Sequence, residues 1–142
     1  MLKKITLLGV DITSETEKKV SEYVLDKIKQ RKKCFIVTPN PEILVYASKH
    51  HEFKHILNQA DIALPDGVGL TLAARLMRKP LTARITGVDF IEMLCKASRE
   101  KPLSMGFLGG RGGVAERAVK RLKQKYPWIK AGVVSEEGEE LV

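Results

Sequence analysis

The sequence is poor in aromatic residues, with one Trp, three Tyr and four Phe, or 6% of 142 positions. It has no aromatic-rich RNA-recognition strand and no Cys/His spacing of the zinc-finger kind, so the usual signatures of nucleic-acid binding are missing. Only two cysteines occur, Cys34 and Cys95, far apart and each among apolar neighbours. Two such residues exclude a disulfide scaffold and read as buried free thiols of a reducing compartment. No run approaches the roughly 20 apolar residues of a membrane span. No signal peptide is expected before the first strand, because Met1-Leu2-Lys3-Lys4 leads into only a few apolar residues. The expectation is a cytoplasmic protein whose membrane contact, if any, is peripheral on the inner face of the membrane. Low-complexity segments and internal repeats are absent. So is negative charge from Gly67 to Val88, where Arg75, Arg78, Lys79 and Arg84 meet no acidic residue.

What is present fits one domain over residues 1–142, long enough to bury roughly two thirds of its unfolded surface. The hydrophobic fraction of 44% and charged fraction of 30% are those of a globular chain. A net charge of +8, from 25 basic and 17 acidic residues, points to an anionic partner, and the acid-free stretch after Asp66 concentrates the positive potential. The cluster Lys27, Lys29, Arg31, Lys32 and Lys33 reads as the solvated C-terminal end of a helix, where cations suit the dipole.

Periodicity predicts strands and helices in alternation. Ile5 to Val10 reads as the first strand, and Ser14-Glu15-Thr16-Glu17 matches a capping box with Ser14 as N-cap. The helix that follows carries Val20, Tyr23, Val24 and Ile28 and ends near Arg31. Cys34 to Val37 is a strand apolar throughout, as expected where both faces are covered. Pro39 and Pro41 fix the next turn, and Pro41 suits the first position of a helix bearing Ile43, Leu44 and Ala47. A short helix with Phe53, Ile56 and Leu57 precedes the apolar run Ile62-Ala63-Leu64. Pro65-Asp66-Gly67 then turns the chain into a helix with Val68, Leu72, Ala73, Leu76 and Met77. Thr86 to Asp89 opens another helix, Ser104 to Leu108 is a strand, and Gly109 to Gly113 leads into a helix ended by Pro127. Ile129 to Val134 is the last strand candidate. This order implies an α/β fold, Rossmann-like, with a mostly parallel sheet and helices on both faces. The turns after its strands gather along one sheet edge, where such folds keep their sites.

Each candidate residue there has a plain role beside a chemical one. Asp66 serves either as N-cap or as a general base towards a hydroxyl, with Gly67 allowing close approach of a substrate. A helix N-terminus favours the carboxylate form, so such a base depends on positioning. Asn40 is an N-cap or a hydrogen-bonding group facing the crevice, and Thr38 a strand terminus or its companion. Arg84 pairs with a surface carboxylate or forks onto a diphosphate. Gly110-Arg111-Gly112-Gly113-Val114-Ala115 fits the G-x-G-x-x-A fingerprint, with Glu136 or Glu137 as the acidic partner it needs. This leaves open an alternative function as a nucleotide- or NAD-binding module or oxidoreductase. His50, His51 and His55 read as a basic exposed face rather than a zinc site, since no Cys or carboxylate completes a set. No Asp-x-Asp pair is present to clamp a metal-bound nucleotide sugar, so a diphosphate would be neutralised by cations and helix dipoles.

Thr38-Pro39-Asn40-Pro41-Glu42, Leu64-Pro65-Asp66-Gly67-Val68-Gly69, Arg84-Ile85-Thr86-Gly87-Val88-Asp89 and Phe107-Leu108-Gly109-Gly110, in this order and followed by Tyr126-Pro127-Trp128, resemble the TagA/WecG/CpsF glycosyltransferases. The resemblance covers essentially the whole chain. It implies an inverting transferase that moves N-acetylmannosamine, or its uronic acid, from the UDP-sugar to a prenyl-diphosphate-linked N-acetylglucosamine in wall teichoic acid or related polymer synthesis. It implies no metal or other cofactor, Asp66 as the base, Thr38 and Asn40 lining the acceptor and donor pocket, Arg84 on an anionic group, and Gly109 and Gly110 bordering the nucleotide. Family members continue with a Pro-Lys-Gln-Glu motif and a basic segment that reaches the membrane. The resemblance therefore implies that this sequence, which stops at Leu141-Val142, is either a truncated version or a naturally short relative lacking that part of the site. An inactive interaction domain is the remaining alternative function, and self-association is the expected cover for apolar surface left exposed.

Overall fold

The computed structural model describes residues 1–100 and 102–134, and its chain divides into two compact units, Met1–Phe90 and Ile91–Val142. The fold is mixed α/β and Rossmann-like, with six helices among the described residues and short strands in both parallel and antiparallel pairs.

In the first unit the N-terminal segment is not one strand but a hairpin, β1 (Lys4–Leu7) and β2 (Val10–Thr13), antiparallel with Leu7 opposite Val10. Leu8 and Gly9 form its two-residue turn with φ of 50° and 82°, the double positive φ that type I′ turns require. A leucine in the left-handed region is rare, which is why the turn is masked in the sequence. Ser14 still belongs to this hairpin, its amide donating to the Lys3 carbonyl at 2.8 Å. The expected capping box therefore gives way to Thr16, whose hydroxyl accepts from the Lys19 amide and opens α1 (Glu17–Lys29). Val20 and Val24 are the buried residues of that helix.

Then follow β3 (Ile36–Val37), α2 (Pro41–Lys49), α3 (His51–Asn58), β4 (Ile62–Ala63) and α4 (Val68–Leu76). Strands β3 and β4 pair in parallel. Successive amides from Ile62 to Leu64 point to opposite sides: Ile62 and Leu64 donate to the Phe35 and Val37 carbonyls, whereas Ala63 donates to the buried Thr13 hydroxyl at 3.0 Å. The core of this unit is aliphatic, built from Leu7, Val10 and Ile12 of the hairpin, Leu44, Ala47 and Leu57 of α2 and α3, Ala63, and Leu70 and Ala74 of α4. Histidine 50 stacks on the Tyr46 ring with centroids 3.8 Å apart.

Helix α5 (Gly87–Ala97) carries the boundary between the units. The second unit contains β5 (Ser104–Leu108), α6 (Val114–Lys125) and β6 (Lys130–Val134), the two strands pairing in parallel over their whole length. Cys95, Val119, Tyr126, Ile129 and Ala131 form its core. Cys95 is the fully buried thiol; Cys34 is only half-buried, because its strand is shorter than expected. Tyr126 and Lys125 both donate to the Glu92 carboxylate, at 3.0 and 2.7 Å, which holds Glu92 below the usual carboxylate range. The Trp128 indole donates to the Cys95 carbonyl at 2.9 Å.

Thr13→Val keeps the shape of the side chain but removes the acceptor of the Ala63 amide, and a buried N–H left unpaired costs about 1–3 kcal/mol. Urea denaturation is expected to show a loss in that range; unchanged stability would mean that the amide finds another partner.

Candidate functional site

Beyond Val37 the chain runs through exposed Thr38 and buried Pro39 to Asn40, which is extended with φ −108° and ψ 174°. The Asn40 Oδ1 accepts from the Ile43 amide at 2.9 Å and so caps α2, with Pro41 at its first position. Its side-chain amide nitrogen has no partner among the described residues. Beyond β4, Leu64 and Pro65 are buried and lead to half-buried Asp66. The parallel ladder continues past the strands: after Leu64 donates to Val37 at 2.8 Å, the Asp66 amide donates to the Pro39 carbonyl at 3.2 Å.

Gly67, not Asp66, is the N-cap of α4, and no side chain caps that helix. Its φ of 89° and ψ of 149° lie in a region essentially closed to other residues, while a Cβ added there would meet nothing within 4 Å. The glycine is thus required by backbone conformation, and it borders open space. The Asp66 carboxylate makes no hydrogen bond or ion pair among the described residues. The capping role, equally open on sequence grounds, is not the one the structure shows.

Two further glycines, not singled out by sequence reasoning, bring the turns together. A Cβ on Gly69 would approach Pro41 Cγ to 3.1 Å, and one on Gly87 would approach Thr38 Cγ2 to 3.3 Å. The first turns of α2 and α4 therefore abut, and the start of α5 packs against Thr38. Helix α5 opens with a true capping box: the Asp89 amide donates to the Thr86 hydroxyl at 3.1 Å and the Thr86 amide donates back to Asp89 Oδ2 at 3.4 Å, with the Thr86 hydroxyl also donating to that oxygen at 2.6 Å. Buried Ile85 anchors this stretch, whereas Arg84 is exposed and without an ion pair among the described residues. Thr38, Asn40, Asp66 and Gly67 are thus brought together by three turns of one unit, with Arg84 at the entry of the third. Of the three helix starts, α4 alone has neither a side-chain cap nor an acidic residue in its first turn, so its amides remain available to an anion.

Gly109 and Gly110 lie in the second unit, between β5 and α6. Gly109, Gly110, Gly112 and Gly113 all have positive φ, between 59° and 94°, so the turn conformation itself demands glycine. Gly110 packs against Val114, whereas Gly109 and Gly112 border open space. Ala115, the last residue of the fingerprint, is buried. Glu136 and Glu137 lie outside the described residues.

The Glycosyl transferase WecG/TagA/CpsF family matches residues 5–139 of this sequence, all four turns included. The chain belongs to that family. As a WecG/TagA/CpsF member it is 34% identical over 118 residues to an N-acetylglucosaminyldiphosphoundecaprenol N-acetyl-beta-D-mannosaminyltransferase of Bacillus spizizenii, covering 83% of this chain and 46% of the relative. A protein of the same description from Staphylococcus aureus (strain NCTC 8325) is 32% identical over 128 residues, 89% of this chain and 50% of the relative. The chain spans about half the length of the curated relatives it matches.

Gly67→Ala is expected to cost about 1–3 kcal/mol of stability through backbone strain alone, since the new methyl group has room. Chemical denaturation of the variant measures this, and a neutral substitution would show that the turn relaxes into an ordinary conformation.

Proposed function

We propose that the protein is an N-acetylmannosaminyltransferase, using a UDP-sugar donor and a prenyl-diphosphate-linked N-acetylglucosamine acceptor in the synthesis of a cell-surface polymer such as wall teichoic acid. The observation that carries the reading is the Asp66 carboxylate, fixed by its own backbone on Pro39 yet without a partner among the described residues at the meeting of three turns. Family membership and the activity for which the relatives are named support the reaction class.

In this reading the acceptor hydroxyl lies at Asp66. Its oxygen forms the new bond to the anomeric carbon as the bond from that carbon to the UDP oxygen breaks on the opposite face, inverting the centre. The proton passes to the Asp66 carboxylate, and UDP leaves with the bonding pair. The base acts through position, held at hydrogen-bonding distance from the hydroxyl it deprotonates. Thr38 and the free amide of Asn40 offer hydrogen bonds to sugar or acyl groups. The uncapped amides of α4 and the Arg84 guanidinium supply the positive potential that a diphosphate requires. Gly109 and Gly110 are assigned to the border of the nucleotide because their turn exposes backbone without side chains. An acceptor on a prenyl carrier places the reaction at the membrane surface, so the protein acts there peripherally; no described helix is long and apolar enough to cross a membrane.

Asp66→Asn is expected to lower turnover of UDP-N-acetylmannosamine with a short-chain prenyl-diphosphate acceptor by about 10²–10⁴-fold. Calorimetry should find the affinity for UDP little changed in the variant. Unchanged turnover would remove Asp66 from the role of base. Titration with NAD in place of UDP tests the second reading, a dinucleotide module built on the positive-φ glycine turn, and heat with NAD alone would favour it.

A further inference from the structure

Helix α4 is apolar on two opposite faces. Leu70 and Ala74 are buried in the core of the first unit, at 1% and 0% exposure. Val68, Leu72 and Leu76 recur every four residues on the other side and are 67%, 57% and 78% exposed. At 1.5 Å per residue this stripe is about 12 Å long. A helix that is hydrophobic all round is normally covered on all sides, so the second face calls for an occupant.

The charge around the stripe limits what that occupant is. Arg75 follows Val68 by seven residues, nearly two helical turns, and so lies along the edge of the same stripe. Arg78 is exposed just beyond the helix, and the chain carries no acidic residue from Gly67 to Val88. Lys79 takes no part, its ammonium being engaged by the Thr6 carbonyl at 3.0 Å. Aliphatic side chains edged by guanidinium groups, with no carboxylate among them, are complementary to an anionic phospholipid surface: the aliphatics enter the headgroup boundary while the arginines meet phosphate. The position of the stripe points the same way, since it begins two residues after Asp66.

We propose that the outer face of α4 docks the protein on an anionic membrane, with Val68, Leu72 and Leu76 inserted and Arg75 and Arg78 on the phosphates. Docking through this helix brings the uncapped α4 N-terminus and Asp66 down to the headgroups, where a lipid-linked acceptor presents its sugar. The choice of partner rests on the proposed lipid-linked acceptor.

The test is co-sedimentation of the 142-residue chain with vesicles of phosphatidylglycerol and phosphatidylcholine, against phosphatidylcholine alone, for the parent and for the double variant Leu72→Glu/Leu76→Glu. Both positions are exposed, and circular dichroism checks that the variant keeps its helices. The parent is expected to sediment with the anionic vesicles and the variant to lose about tenfold or more in partitioning, with added salt weakening the parent as screened arginine contacts require. Equal sedimentation of parent and variant overturns the proposal. So does a parent dimer in analytical ultracentrifugation that the variant abolishes while neither chain binds vesicles, which would give the stripe to a second copy. Calorimetry with UDP on both chains separates the two levels of interpretation. If neither chain binds UDP while vesicle binding still depends on Leu72 and Leu76, the transferase reading fails and the membrane face stands.

Discussion

A single backbone hydrogen bond, from the Asp66 amide to the Pro39 carbonyl, organises the candidate site. It is the last rung of a parallel ladder that outlives the two-residue strands β3 and β4, and it ties the turn bearing the carboxylate to a segment that two prolines have already stiffened. Because the main chain holds Asp66 in place, the side chain has no structural bond to keep. A carboxylate that also capped its helix would have to give up that hydrogen bond to meet a substrate. Here Gly67 takes the capping position, and the left-handed backbone it allows turns the chain into α4 without a side-chain cap.

The two contact glycines extend the same logic. Gly69 lets α4 come against Pro41, and Gly87 lets α5 come against Thr38, so three helix starts come together. Their caps divide the labour. Asn40 and the Thr86–Asp89 pair satisfy α2 and α5, leaving the dipole of α4 as the one not met by the protein's own side chains among the described residues.

Much of this was legible in the sequence, for identifiable reasons. Strand β5 and the helices after the Asp66 and Gly109 turns followed from apolar periodicity and turn residues, and family membership followed from the ordered motifs. The hairpin was not legible, because Leu8 fills a turn position that normally advertises itself with Asn or Gly. Ser14 misled for a related reason. It stands three residues before a glutamate, as a cap should, but tertiary contacts claim it, and it is 1% exposed with the Thr82 amide and hydroxyl donating to its side chain and carbonyl. The choice between cap and free carboxylate at Asp66 turned on one backbone angle at the next residue, which composition does not reveal. Gly69 and Gly87 were visible as glycines, yet what each one approaches is a tertiary fact.

The indole of Trp128 has a use unconnected with the site. It is the only tryptophan of the chain, it lies in the second unit with its N–H on Cys95, and the Arg99 guanidinium stands 5.3 Å from its ring centroid. Its emission therefore reports on the Ile91–Val142 unit alone, while helical ellipticity is shared with α1 to α4 of the first. Following both signals through one denaturation shows whether the protein melts as a single cooperative body or as two, a property that the natural probe makes readable without any label.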